Sequence, residues 1–171
     1  MSKTLRHQPE RIGVELDDAG WCSVDDLLSA YAAKGTQISR QALNEVVATN
    51  DKQRFSFSED GNRIRANQGH SVDVDLGYET AEPPEILLHG TPRQFVEAIR
   101  REGLNKMKRH HVHLHRDIAT ATAVGQRRGK PVLLTIRAGD MHSAGHAFLV
   151  TPNDVWLTDH VPTEFIEIPD Q

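Results

Sequence analysis

A chain of 171 residues, 37% hydrophobic and 26% charged with a net charge of −4, has the make-up of an ordinary globular protein, long enough for one sizeable core or two small ones. Cys22 is the single cysteine, which excludes an intrachain disulfide framework and a cysteine-built zinc cluster, and the acidic balance excludes a coat protein held on nucleic acid by bulk charge. No apolar run approaches the roughly 20 residues of a membrane helix, and Met1-Ser2-Lys3 opens a polar segment, so the expected setting is the cytoplasm, with no membrane partner.

Taken in chain order, the residues before Pro9 leave room only for a short helix carrying Leu5, Arg6 and His7. Val24, Leu27, Leu28, Tyr31 and Ala32 then recur at helical spacing, with Ser23 placed to cap and Gly35 to terminate, which predicts a helix over 24–34. Ser39 opens a second helix running to about Asn50, with Ala42, Leu43, Val46 and Val47 along one side. Arg54 to Phe57 and Arg63 to Ala66 alternate on either side of Asp60-Gly61, which predicts a hairpin. Helix, helix, hairpin is the order of a winged-helix module, expected here over 1–72, and by analogy that order suggests nucleic-acid binding.

Residues 73–84 lose periodicity and end in Glu82-Pro83-Pro84, which reads as a linker. Over 85–171 the pattern predicts a buried strand at Glu85 to His89, a helix from Pro92 to about Glu102 capped by Thr91, a short strand at His111 to Leu114, and a helix from about Asp117 to Arg127. Val132 to Ile136 is the most apolar run and should be a central strand, with shorter ones at Ala147 to Val150, Val155 to Leu157 and Phe165 to Ile168. The fold class is therefore α+β, the second half a mixed or antiparallel sheet domain.

Three stretches carry chemistry. In RIRANQGHS, residues 63–71, a strand bearing Arg63 and Arg65 runs into Gln68, Gly69, His70 and Ser71; guanidinium forks match phosphate oxygens, and the glycine lets backbone come close. A hairpin with solvated arginines explains the same residues. Residues 100–116 gather Arg100, Arg101, Lys106, Lys108, Arg109 and Arg116 against Glu102 alone, a local face for a polyanion. His111, His113 and His115 share one face of a strand, but no Asp, Glu or Cys in that segment completes a ligand set, so no metal is expected. His89-Gly90-Thr91 reads equally as a strand-to-helix turn or as a ligand grip.

The motifs LRHxP at Leu5 to Pro9, RIRANQGHS, HGT at His89 to Thr91, HHVHL at His110 to Leu114, VGxRxGKPV at Val124 to Val132 and VWLTDxVP at Val155 to Pro162 occur in that order. Together they resemble the RNA 2′-phosphotransferase family, NAD-dependent enzymes that remove the 2′-phosphate left at a tRNA splice junction. The resemblance implies a winged-helix lobe reaching RNA and an ADP-ribosyltransferase-like lobe holding NAD. It implies catalytic roles for Arg6, His7, Arg65 and Arg127, NAD contacts at His89, Gly90, Thr91 and His113, and RNA or phosphate contacts at Gln68, Gly69, His70 and Ser71. NAD would be consumed as co-substrate without a metal, by a monomer whose partner is a 2′-phosphorylated, tRNA-like RNA.

The implied chemistry suits the residue types. A phosphate dianion is already a competent nucleophile, so the absence of a carboxylate at Val161-Pro162 costs nothing in a first step. Guanidiniums would hold that phosphate and stabilise charge developing on phosphorus, while a histidine, which ordinarily titrates near neutrality, would act on a ribose hydroxyl. The chain departs from the family pattern in the nearness of Ser2-Lys3 to Arg6-His7 and in His115 where the family commonly has serine. Two other readings stand beside this one: an ADP-ribosyltransferase capping phosphorylated nucleic-acid ends, and a non-catalytic winged-helix regulator. The regulator's recognition helix, however, would offer only Arg40 against Glu45.

Overall fold

The structure, a computed structural model, describes residues 1–50, 53–126 and 129–169, and the chain divides into two units, Met1–Gly77 and Tyr78–Gln171.

In the first unit α1 (Ser2–His7) seats Leu5 in the core. A two-residue strand β1 (Cys22–Ser23) leads directly into α2 (Val24–Ala33), and Ser23 Oγ caps that helix by accepting from the Asp26 amide at 3.2 Å. Ser39 does the same for α3 (Arg40–Ala48), accepting from the Ala42 amide at 3.1 Å. The hairpin forms as expected from β2 (Phe55–Phe57) and β3 (Arg63–Ala66), with Phe55 opposite Ala66. β1 adds to the other edge of β3, Cys22 opposite Ile64, and makes β3 the central strand. The two-residue period of β3 sends Ile64 and Ala66 into a core with Leu5, Val24, Leu27, Leu43 and Phe55, and so turns Arg63 and Arg65 to the opposite face.

The second unit opens with β4 (Ile86–Pro92), followed by a 3-10 turn at Arg93–Phe95 and α4 (Val96–Glu102). β5 (Leu104–Asn105), β6 (Val112–Leu114), α5 (Ile118–Gly125), β7 (Pro131–Arg137) and α6 (Ala138–Ser143) come next. β8 (Leu149–Val150), β9 (Trp156–Thr158), β10 (His160–Val161) and β11 (Ile166–Glu167) complete it. The apolar run of β7 lies centrally between β11 and β4, β9 lies between β6 and β8, and β10 pairs β5. An isolated bridge between Leu88 and His115 ties β4 to the residue after β6. Every named strand pairing is antiparallel among the described residues, so α+β holds, with antiparallel rather than mixed sheets. Leu87, Leu114, Leu134, Ile136, Met141, Phe148, Trp156 and Val161 fill the core of this unit.

One expectation changes. Thr91 does not cap a helix: it pairs with Val132, Pro92 pairs with Pro131, and the cross-strand partners carry β4 two residues past the glycine, so α-helix begins only at Val96 and without a side-chain cap. The boundary between the units falls within 73–84, and each end of that stretch bonds to its own unit: the Asp75 amide donates to the Asp18 carbonyl at 2.7 Å, Thr80 bridges Leu149, and the Ala81 amide donates to the Phe148 carbonyl at 2.9 Å. Among the described residues no helix is long and apolar enough to cross a membrane.

Candidate functional site

In the first unit Arg65 and His70 lie against one turn. Asp17 builds it: its Oδ1 accepts from the amides of Ala19 and Trp21 at 3.0 and 2.8 Å, and the Gly20 amide returns to the Asp17 carbonyl at 2.9 Å. Gly20 takes φ +77°, and a side chain there would meet Leu76 at 3.0 Å and His70 Nε2 at 3.7 Å. Arg65 reaches the same turn from β3. Its Nη1 donates to the Ala19 carbonyl at 3.4 Å, and its guanidinium lies 4.5 Å from the centre of the Trp21 ring. Arg65 forms no ion pair among the described residues, and its Nε is buried without a hydrogen-bond partner. Its neighbour Arg63 instead pairs with Asp17 Oδ2 at 3.3 Å.

The segment after β3 returns to α1. Ser71 donates its amide to the Arg6 carbonyl at 2.9 Å and places its Oγ 2.9 Å from His7 Nδ1. Arg6, His7 and Ser71 are thus one cluster, joined through His70 to the turn that holds Arg65. Asn67 and His70 are nearly fully buried, at 3% and 2% exposure, while Gln68 and Gly69 are half-buried. Gly69 has φ +82°, the left-handed backbone that turns the chain to do this.

In the second unit His89, Gly90 and Thr91 lie on β4, antiparallel to Leu134, Leu133 and Val132 of β7. His89 Nδ1 is 2.9 Å from the His113 carbonyl. A carbonyl only accepts, so Nδ1 carries the hydrogen and the neutral ring keeps Nε2 as an acceptor. Burial holds the His89 imidazole below the usual histidine range, the His113 carbonyl opposes this, and the positive charge of Arg109 adds to it. His113 is itself 9% exposed, with Nδ1 at 3.1 Å from the His111 carbonyl.

Gly90 has a packing reason of its own. A Cβ there would sit 1.8 Å from the Ala121 carbonyl oxygen and 3.1 Å from the Gly125 amide, and a Cβ on Gly125 would fall 2.9 Å from the Gly90 carbonyl carbon. The two glycines let α5 lie backbone to backbone on β4, and Asp117 starts that helix by accepting from the Thr120 amide at 2.7 Å. Thr91, next in β4, is buried.

Arg127 lies outside the described residues. Sequence reasoning passed over Trp21, the Asp17 turn and Gly125; Asp17-Asp18-Ala19-Gly20 is a turn signature that could have flagged the first two. Part of the basic run is internally paired, Arg100 with Glu97 at 3.6 Å, Arg116 with Asp154 at 3.5 Å and Lys106 with Asp159. Among the described residues no three His, Cys, Asp or Glu gather as metal ligands would.

Residues 1–160 match the family described as RNA 2′-phosphotransferase, Tpt1 / KptA family. The chain is 54% identical to a Streptomyces coelicolor protein over 99% of its own length and 92% of the relative's, and 55% identical to one from Streptomyces griseus over 97% and 92%. A Nostoc punctiforme protein is 52% identical over 98% and 92%. Each of the three carries the name "Probable RNA 2′-phosphotransferase".

Proposed function

The chain belongs to the RNA 2′-phosphotransferase, Tpt1 / KptA family, a family of transferases, and on that premise we propose that it removes an internal 2′-phosphate from RNA at the expense of NAD. In this reading the first unit is a winged-helix RNA lobe and the second an ADP-ribosyltransferase-like NAD lobe. The order of two helices and an antiparallel hairpin in the first supports that assignment, as do the antiparallel sheets of the second.

The observation that carries the proposal is the state of Arg65. A half-buried guanidinium that has no carboxylate partner and a buried Nε–H left unbonded among the described residues is a poor structural element, because an unsatisfied buried donor costs about 1–3 kcal/mol. It becomes a good one when a phosphate oxygen arrives. Arg65 therefore holds the 2′-phosphate, with Arg6 of the same unit; a role for Arg127 rests on its place in the motif alone. Gln68, Gly69 and Ser71 border this phosphate grip, and buried His70 supports it. His7, oriented by Ser71, handles the ribose hydroxyl proton.

The residues of the second unit suit NAD. Neutral His89, with Nδ1 committed to the His113 carbonyl, offers Nε2 to a ribose hydroxyl, which is the donor a nicotinamide riboside presents. Gly90, Thr91 and His113 complete that grip. NAD supplies an electrophilic C1″ with nicotinamide as leaving group. The RNA 2′-phosphate would attack that carbon with nicotinamide leaving; the adjoining ribose O2″, its proton taken by His7, would then displace the RNA 2′-oxygen from phosphorus. The products are RNA with a free 2′-hydroxyl and ADP-ribose 1″,2″-cyclic phosphate. No general base is needed in the first step, since the phosphate arrives ionised.

The test is incubation with an oligonucleotide carrying one internal 2′-phosphate, with and without NAD and with no added metal, following nicotinamide release and phosphate loss together. Both are expected, both dependent on NAD, and Arg65→Ala should lower the rate by at least about 100-fold. Phosphate loss without NAD, or none at all, would refute the reading. Faster modification of a 5′-phosphorylated end would favour the capping reaction instead.

A further inference from the structure

We propose that Trp21 is a positioning residue for the reaction: its indole face fixes the Arg65 guanidinium while leaving its charge available to an anion. The inference rests on the role given to Arg65 above and extends it to a residue that acts through Arg65.

The two arginines of β3 sit on the same strand face two residues apart, and both lie over the Trp21 ring, Arg63 at 5.5 Å and Arg65 at 4.5 Å. They are held by different chemistry. Arg63 is neutralised by Asp17, whose other carboxylate oxygen is occupied by the amides of Ala19 and Trp21. Asp17 is thereby committed twice, and Arg65 is left with a ring face and a carbonyl, both uncharged. A carboxylate in the place of the ring would orient the guanidinium equally well, but it would compete with the phosphate for the same donors. A π face attracts the cation through its quadrupole, occupies the flat side of the fork, and leaves the in-plane N–H groups to a ligand.

The ring can serve this way because its backbone is pinned. The Trp21 amide donates to Asp17 Oδ1 at 2.8 Å, and the Asp17 amide donates to the Trp21 carbonyl at 2.8 Å. Immediately after it, Cys22 enters β1 and pairs with Ile64, next to Arg65. Platform and guanidinium are thus fixed by one sheet and one turn, and the side chain loses freedom before substrate arrives rather than during binding.

The decisive comparison is Trp21→Phe against Trp21→Leu in the full-length protein, assayed on the 2′-phosphorylated oligonucleotide with saturating NAD, with melting temperatures alongside. Phenylalanine keeps a π face, and leucine fills similar space without one. Trp21→Phe should keep kcat/KM within about threefold of the parent, and Trp21→Leu should lose about tenfold or more. Leucine and phenylalanine variants of equal activity would overturn the proposal, because a purely structural ring would make them alike. In a double-mutant cycle, Trp21→Leu combined with Arg65→Ala should be no worse than Arg65→Ala alone. Losses that multiply would also overturn it. An Arg65→Ala variant at full activity would instead sink the role of Arg65 itself, whereas an inactive Arg65→Ala beside a fully active Trp21→Leu would sink only the inference about the ring.

Discussion

Arg65 on β3 is held by what surrounds its side chain, whereas Gly90 on β4 is fixed by what surrounds its backbone. The first sits in a web of side-chain contacts: a ring face, a carbonyl at 3.4 Å, and beyond them His70, Ser71 and His7. The second has α5 against it, with no room for one added carbon. A site of the first kind can be emptied without loss of fold, because truncating a half-exposed arginine removes contacts from the face of the sheet opposite the core. A site of the second kind is inseparable from the fold that carries it. Function and stability should therefore separate cleanly under mutation in the first unit and fail together in the second.

Gly90→Ala is the strongest way to break that contrast. Its new Cβ, 1.8 Å from the Ala121 oxygen, cannot be relieved by a rotamer, since what it meets is backbone. Overpacking of side chains costs about 1–3 kcal/mol, and here strand or helix must move, so a loss of about 3 kcal/mol or more is expected, read as a collapse of the melting transition. An unshifted melting temperature would show that α5 does not lie backbone to backbone on β4 at Gly90. Ser71→Ala is the counterpart in the first unit. Ser71 is exposed and its Oγ bonds His7 Nδ1, so kcat should fall about tenfold with the melting temperature unchanged and KM for RNA preserved. A rise in KM with kcat intact would mean that the hydroxyl touches RNA rather than His7.

The same contrast explains what could be read from the chain alone. Ser23 and Ser39 act on amides three residues away, and the alternation of β3 and the apolar run of β7 are local periods, so caps, helices, hairpin and central strand were legible. Thr91 was misread because the end of β4 is set by Val132 and Pro131, which no local pattern near residue 91 reveals. The arginines and histidines could be picked out by residue type, but the carbonyl that Arg65 grips is 46 residues away and the serine that orients His7 is 64 residues away. Residue type announces the chemistry a side chain can do. Only the closed fold says which neighbour it is given.

A milder test bears on His89. Its folded-state pKa lies below the ordinary histidine value because burial disfavours the charged ring. The unfolded chain therefore takes up a proton first as pH falls through about 6.5, and stability contributed by the neutral ring is present above that range and declines below it. Urea unfolding at a series of pH values from 7.5 to about 5 should show the parent losing stability faster than His89→Gln on acidification. Parallel curves would mean that the ring titrates alike in both states.

Cys22 should give the smallest response of all, and it reports on the β1–β3 edge beside Arg65. Cys22 is 4% exposed; its thiol donates weakly to the Ile64 carbonyl at 3.7 Å, and its pKa is pushed up to about 12 by burial, with the negative charges of Asp26 and Asp17 adding to it. At pH 8 only about one thiol in ten thousand would be ionised, and the thiolate is the species that alkylates. Iodoacetamide should therefore leave the native protein unmodified over hours and label it fully in urea, so that any native labelling measures opening of β1 from β3 rather than intrinsic reactivity. Arg65→Ala should label as slowly as the parent, because the arginine hangs on the face of the sheet that the core does not use. Rapid labelling of that variant would show the guanidinium to be part of what holds the strands together, and the separation of function from stability in this unit would not survive it.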